Sequence, residues 1–190
     1  MSSLYKEVKD KIIFGKSEKI ISVDVSRSGI TGDNIVSIAF MKIVKSNSDN
    51  PIFINVKKFK TLDSGSLKDK ALKIIEFIDV DDPQTICVDG NGLGIGLVSE
   101  LLSLGVKNLV TIYPQSYNTG MLVGMLKSNV FHLNKRDSLF EDELKNIDIK
   151  IKNGKLLLSK KKQSLQYNRI NSLAVASYYI YGNDRSEMAI

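Results

Sequence analysis

Apolar residues along the chain change period several times, and each change marks an element. "KIISVDV" (19–25) is a short, nearly continuous apolar run of the kind that forms a buried strand. "DNIVSIAFMKIV" (33–44) reads as a longer strand beyond the turn-rich "SRSGITG" (26–32), and "IFINVKKF" (52–59) as a third after the polar "KSNSDNP" (45–51). Three consecutive strands with short links predict an antiparallel meander. The period then shifts to that of a helix. In "SLKDKALKIIEFIDV" (66–80), Leu67, Ala71, Leu72, Ile74, Ile75 and Ile78 share helical spacing, and Ser64 or Ser66 is placed to cap the start.

"TICVD" (85–89) predicts the next strand, "IGLVSELLSLG" (95–105) a helix closed by Gly105, and "NLVTIYP" (108–114) another strand. Strands alternating with helices imply parallel pairing with right-handed crossovers. The last third is less regular. "TGMLVGMLKS" (119–128) and "SLFEDELKNI" (138–147) have helical character, and "IDIKIKNGKLLLS" (147–159) predicts a hairpin with Asn153-Gly154 in a type I′ turn. "QYNRINSLAVASYYIYG" (166–182) predicts a closing helix that faces the sheet through Leu173, Ala174, Ser177 and Ile180. Together these elements predict an α/β fold: a mixed central sheet of a three-strand meander followed by two parallel strands, flanking helices, and an extra hairpin before the C-terminal helix. No repeat or linker divides the chain, so residues 1–190 are expected to form one domain, with a core at about 20–181 and a polar lead-in at 1–18.

Two of the strands end in the same way. "SVDVSRSG" and "CVDGNGLGIG" each deliver an aspartate, Asp24 and Asp89, and then give way to small residues. An aspartate at a strand end is often only a turn residue bonded to its own backbone. The pair suggests more, because a mixed sheet can lay the two strands side by side and bring both carboxylates to one edge. Hard oxygen ligands on rigid elements suit Mg²⁺ or Mn²⁺, and two such ions about 4 Å apart can activate a water and stabilise the leaving oxygen of a phosphodiester. The glycines at 90, 92, 94 and 96 alternate, so they do not form the G-x-G-x-x-G of a dinucleotide site, and no Walker-type phosphate loop is present.

Composition sets further limits. Cys87 is the sole cysteine, which excludes disulfide frameworks and cysteine-rich zinc sites, and His132 is the sole histidine. No Ser-His-Asp or Cys-His arrangement is visible, and both residues read as structural, as do Tyr178, Tyr179 and Tyr181. The +6 charge, from 27 Lys and Arg against 21 Asp and Glu, is compatible with a polyanionic partner and equally with a solvated surface. Neither a leader-like start nor an apolar stretch near the roughly 20 residues of a membrane span occurs, so a soluble, unexported protein without a membrane partner is expected.

Four blocks, in order, resemble the nuclease domain of the large terminase subunit of tailed phages and related viruses: "VDVSRSGITGDNIVSIAF", "VDGNGLGIGLVSELLSLG", "LFEDELKNIDIKIKNGKLLLSKKKQ" and "RINSLAVASYYI". The resemblance runs from about Ile20 to Ile180. It implies an RNase H-like fold and a two-metal-ion endonuclease, using Mg²⁺ or Mn²⁺, that cuts concatemeric viral DNA during genome packaging. It also implies double-stranded DNA, a packaging ATPase domain, the small terminase subunit and the portal as partners. The place of action would be inside the host cell, in the cytoplasm or, for a eukaryotic virus, the nucleus.

In that pattern Asp24 and Asp89 match the first two metal-binding carboxylates, and Asp33 an acidic position beyond the first strand. The third carboxylate normally opens the last helix in a stretch resembling "DALALA"; here "NSLAVA" places Asn171 there. An amide oxygen can ligate a hard cation but brings no charge, so the second ion should suffer most. Three explanations compete: an engineered inactive variant, a natural domain that uses another acid (Asp137, Glu141 and Asp142 are candidates), or a natural domain that has lost catalysis. Lys160, Lys161, Lys162 and Arg169 flank the final helix and are candidates for phosphate contact, whereas Lys57, Lys58 and Lys60 are equally explained as edge protection. Other readings stay open: a catalytically inactive DNA- or partner-binding module, another RNase H-like nuclease such as a junction resolvase, or a sugar-kinase or actin-like phosphate binder, which would need a second lobe.

Overall fold

The computed structural model describes residues 16–27, 34–45, 51–113, 119–152, 155–161 and 167–182. Asp33, Lys162 and the Asn153-Gly154 turn lie outside them. The meander forms as β1 (Lys16–Arg27), β2 (Asn34–Lys45) and β3 (Pro51–Leu62), paired antiparallel in sequence order. β1 begins earlier than the pattern suggested: Lys16, Ser17 and Glu18 pair with Lys45, Val44 and Ile43, so they belong to the sheet and not to a lead-in.

α1 (Leu67–Asp81) then carries the chain back across the meander, and β4 (Thr85–Asp89) adds parallel to β1 on the side away from β2. Ser66 is the cap. Its Oγ accepts the Asp69 N–H at 3.2 Å while Asp69 accepts the Ser66 N–H at 2.9 Å, a reciprocal capping box. The buried side of α1 departs from the sequence reading, because Leu72 is 45% exposed whereas Lys70 is buried. Lys70 can afford burial because its Nζ donates to the carbonyls of Asn34 at 2.6 Å and Gly65 at 2.8 Å.

α2 (Gly94–Ser103) leads to β5 (Leu109–Ile112), which is parallel to β4. Gly105 follows α2 at φ +86°, a left-handed residue closing a helix. Beyond α3 (Thr119–Lys127), the short β6 (Phe131–Leu133) pairs parallel with β3, so the sheet has six strands in the order β5-β4-β1-β2-β3-β6 and not five. α4 (Ser138–Lys145), the hairpin of β7 (Ile147–Lys152) and β8 (Lys155–Lys160), and α5 (Asn168–Tyr181) complete the chain.

The sheet is buried on both faces. Ile21, Val23, Ile38 and Val88 pack under α1 and α2, while Ile20, Ala39, Met41 and Ile54 pack under α3, α4 and α5 through Leu122, Phe140, Leu173 and Ile180. Cys87 on β4 is buried against Val175 of α5, and the His132 ring lies tilted against Phe53 with centroids 5.1 Å apart. Tyr179 does more than pack. Its hydroxyl donates to Glu18 at 2.6 Å, and Glu18 also takes Thr85 Oγ1 at 2.8 Å and pairs with Lys45 at 2.8 Å, which fastens the far end of α5 to the sheet. Lys58 is no edge guard: it pairs with Asp81 at 2.8 Å over the Phe40 ring. Among the described residues no helix is long and apolar enough to cross a membrane.

Candidate active site

The two aspartates meet because of strand register. β1 and β4 pair in parallel up to Val23 opposite Val88, so Asp24 and Asp89 are the next residues on neighbouring strands, roughly 5 Å apart along the hydrogen-bonding direction. Alternation settles the face. Val23 and Val88 pack under α1 and α2, which turns Asp24 and Asp89 to the side covered by α5.

Their surroundings differ. Asp89 ends β4 as expected, but Asp24 does not end β1, which runs on to Arg27 against β2. Asp24 is therefore an interior, buried carboxylate, 5% exposed, and not an exposed strand-end group. Burial raises the Asp89 carboxyl above its ordinary value, opposed by the Asn91 N–H that donates to Oδ1 at 2.8 Å. Among the described residues no lysine or arginine forms an ion pair with Asp89. The loop after it is drawn tight, since a Cβ on Gly94 would lie 1.7 Å from the Asp89 carbonyl oxygen. Only glycine fits there.

α5 supplies the third side chain. Asn171 Nδ2 donates to Asp24 Oδ2 at 3.4 Å, and two serines on the same face of β1 hold the helix at that register. Ser22 Oγ donates to the Ser172 carbonyl at 2.6 Å and Ser26 Oγ to Asn168 Oδ1 at 2.9 Å. The alternation in "SVDVS" thus puts Ser22, Asp24 and Ser26 in a row beneath the first turns of α5.

The start of α5 is capped in trans by Glu143 from α4, a residue sequence reasoning missed. It accepts the Ile170 N–H at 2.8 Å and the Arg169 N–H at 3.2 Å, and burial pushes its carboxyl up to about 7. Its inward side was signalled only by spacing, three residues after Phe140 on the apolar face of α4. Arg169, expected among the phosphate contacts, turns inward instead: its Nε lies 2.9 Å from Asp137 Oδ1 and its guanidinium over the Phe59 ring at 5.8 Å.

The candidate substitute acids are likewise engaged elsewhere. Asp137 caps α4 through the Phe140 N–H at 2.9 Å, Glu141 is held by Arg136 at 2.8 and 3.0 Å, and Asp142 faces Lys145 at 3.6 Å. Lys161 lies 3.1 Å from Asp148 with both side chains about half exposed, and Lys160 ends β8. Among the described residues no three His, Cys, Asp or Glu side chains cluster as a metal site. What converges is two carboxylates, hard oxygen ligands suited to a divalent cation, and one amide whose Nδ2 faces Asp24; the formal charge serves one ion rather than two.

The sequence matches no protein-family model and no curated protein. Solved structures do match. The large terminase nuclease of thermophilic phage G20c, solved with bound magnesium, aligns at TM-score 0.63 and 13% identity, covering 91% of this chain and 82% of that one. The nuclease domain of the large terminase subunit of bacterial virus Sf6 aligns at TM-score 0.63 and 16% identity over 95% of each chain. The large terminase of bacteriophage HK97 aligns at TM-score 0.60 and 11% identity, with 84% of this chain covering 39% of that one. Other structures of the G20c nuclease and of an Sf6 variant contain cobalt and manganese. The chain has the RNase H-like fold of the nuclease domains of phage large terminase subunits.

Proposed function

We propose that the protein is a divalent-metal-dependent endonuclease domain that hydrolyses phosphodiester bonds of double-stranded DNA during viral genome packaging, and that it is a weak nuclease as written. The observation that carries this reading is the convergence of Asp24, Asp89 and Asn171 from β1, β4 and α5 on one edge of the fold. Asp24 and Asp89 would hold a Mg²⁺ or Mn²⁺ ion, with Asn171 beside them. Such an ion supplies a more acidic water and charge neutralisation at the phosphate. The chain's part is to fix the carboxylates on rigid strands, hold the α5 side chain over them through Ser22 and Ser26, and present lysines such as Lys160 and Lys161 to the flanking phosphates. Asp33 and Lys162 remain proposed contributors from outside the described residues. The action would take place inside the host cell, with a packaging ATPase domain, the small terminase subunit and the portal as partners.

Asn171 brings no charge to the site, so a second ion would have little to hold it. Plasmid nicking in Mn²⁺ tests this. The unmodified chain should cut weakly, Asn171→Asp should cut at least about tenfold faster, and Asp24→Ala should silence both. Efficient cutting by the unmodified chain with no gain from Asn171→Asp would show that another acid completes the site. A second reading, a binding module without chemistry, is favoured by the Asn171 amide donating directly to Asp24. Salt-sensitive duplex binding with no cleavage in either form would support it.

A further inference from the structure

Two buried polar atoms lack a hydrogen-bond partner among the described residues, Ser37 Oγ and Arg169 Nε. Arg169 Nε lies beside the Asp137 carboxylate, which leaves the Ser37 hydroxyl to be accounted for. It stands on β2 directly opposite Asp24 in the antiparallel ladder, fully buried. Opposed residues of such a pair point to the same face with Cβ atoms about 5 Å apart, so the hydroxyl and the carboxylate are side by side. Further along that face of β2 the chain uses Ala39, Met41 and Ile43, all apolar. A lone hydroxyl in such a row is destabilising unless something accepts from it.

Strand order decides what that acceptor is. β1 lies between β4 and β2, so Asp24 has Asp89 on one flank and Ser37 on the other. A cation shared by Asp24 and Asp89 would draw one Asp24 carboxylate oxygen towards β4 and leave the other towards β2. We propose that Ser37 is a positioning residue for Asp24: without a partner in the metal-free protein, its hydroxyl would donate to the β2-side oxygen once a cation is bound and hold the carboxylate in the orientation that presents its opposite oxygen to that cation. This rests on the metal-binding reading above. It assigns to Ser37 the orienting task that hydrogen-bond donors behind metal ligands perform elsewhere, where their loss typically weakens metal affinity ten- to a hundredfold, an order of magnitude taken from other systems.

The test pairs calorimetric Mn²⁺ titration with metal-free thermal melting for the unmodified chain, Ser37→Ala and Ser37→Thr. Ser37→Ala should bind Mn²⁺ about tenfold more weakly and yet melt at or above the unmodified temperature, because an unsatisfied hydroxyl has been deleted. Ser37→Thr keeps the hydroxyl and suits a strand, so it should restore affinity. Unchanged affinity in Ser37→Ala, beside normal binding by the unmodified chain, would overturn the role of Ser37 alone. Loss of affinity together with a lower melting temperature would show a packing residue instead. No Mn²⁺ binding by the unmodified chain would overturn the metal reading and this role with it.

Discussion

Replacing Glu143 with glutamine should make the protein more stable at pH 8 and leave it unchanged at pH 4.5. Glu143 is 3% exposed, caps the start of α5 through two backbone N–H groups, and has its carboxyl pushed from an ordinary 4.5 up to about 7, first by burial. The Ile170 and Arg169 N–H groups and the Arg169 charge oppose that rise, and Asp137 adds to it. A folded-state pKa above the unfolded one means that the folded protein holds the proton more tightly. Its stabilising contribution is full below pH 4.5 and is lost as pH rises through about 7.

At 1.36 kcal/mol per pH unit, the interval from 4.5 to about 7 corresponds to about 3 kcal/mol. Glutamine resembles the protonated acid in shape and polarity, so it removes this pH dependence while keeping an acceptor for the Ile170 N–H. Urea unfolding of both proteins at half-unit steps from pH 4.5 to 8.5 measures the difference. The curves should coincide at the acid end and separate by up to about 3 kcal/mol at the alkaline end, the variant lying higher. Parallel curves, or a variant weaker at every pH, would refute the argument and show that the ionised carboxylate is a net stabilising cap.

Two further outcomes follow from the site. Gly94→Ala should lose about 3 kcal/mol or more in urea denaturation, because its Cβ would fall 1.7 Å from the Asp89 carbonyl oxygen; a loss below about 1 kcal/mol would show that the loop relaxes freely. Alanine at Lys160, Lys161 and Lys162 should weaken duplex DNA binding and reduce the slope of log K against log salt by up to about three units, whereas an unchanged slope would return these lysines to the solvated surface.

Much of the fold was legible because its elements are long and strongly periodic: the meander, α1 with Ser66, the parallel β4 and β5, the hairpin and α5. β6 was not, since three residues are too few to show a period and their pairing with β3 is set by packing. Lys70 in place of Leu72 on the inner side of α1 was equally unreadable, because the carbonyl of Asn34, distant in sequence, joins that of nearby Gly65 to make the burial tolerable. At the site, strand register could be argued from the two "VD" ends, and the structure does place Asn171 against Asp24. Small residues after Asp24 suggested a turn, yet pairing with β2 extends the strand past it. The inward turn of Arg169 and the cap from Glu143 depend on how α4 docks beside α5, which no local pattern encodes.

The unequal lengths of the central strands shape the approach to Asp24. Past Val23 the pairing with β4 stops, while β1, β2 and β3 continue as a ribbon, three-stranded as far as Leu62 opposite Val36 and two-stranded from there to Arg27 and Asn34. At about 3.3 Å per residue the ribbon rises roughly 10 Å beyond Asp24. The ends of β4 and β5 form a low shelf, the ribbon stands over it as a wall, and the aspartates lie in the corner between them. Strand length alone therefore gives Asp24 a strand neighbour on its β2 side and, on its β4 side, the end of a strand.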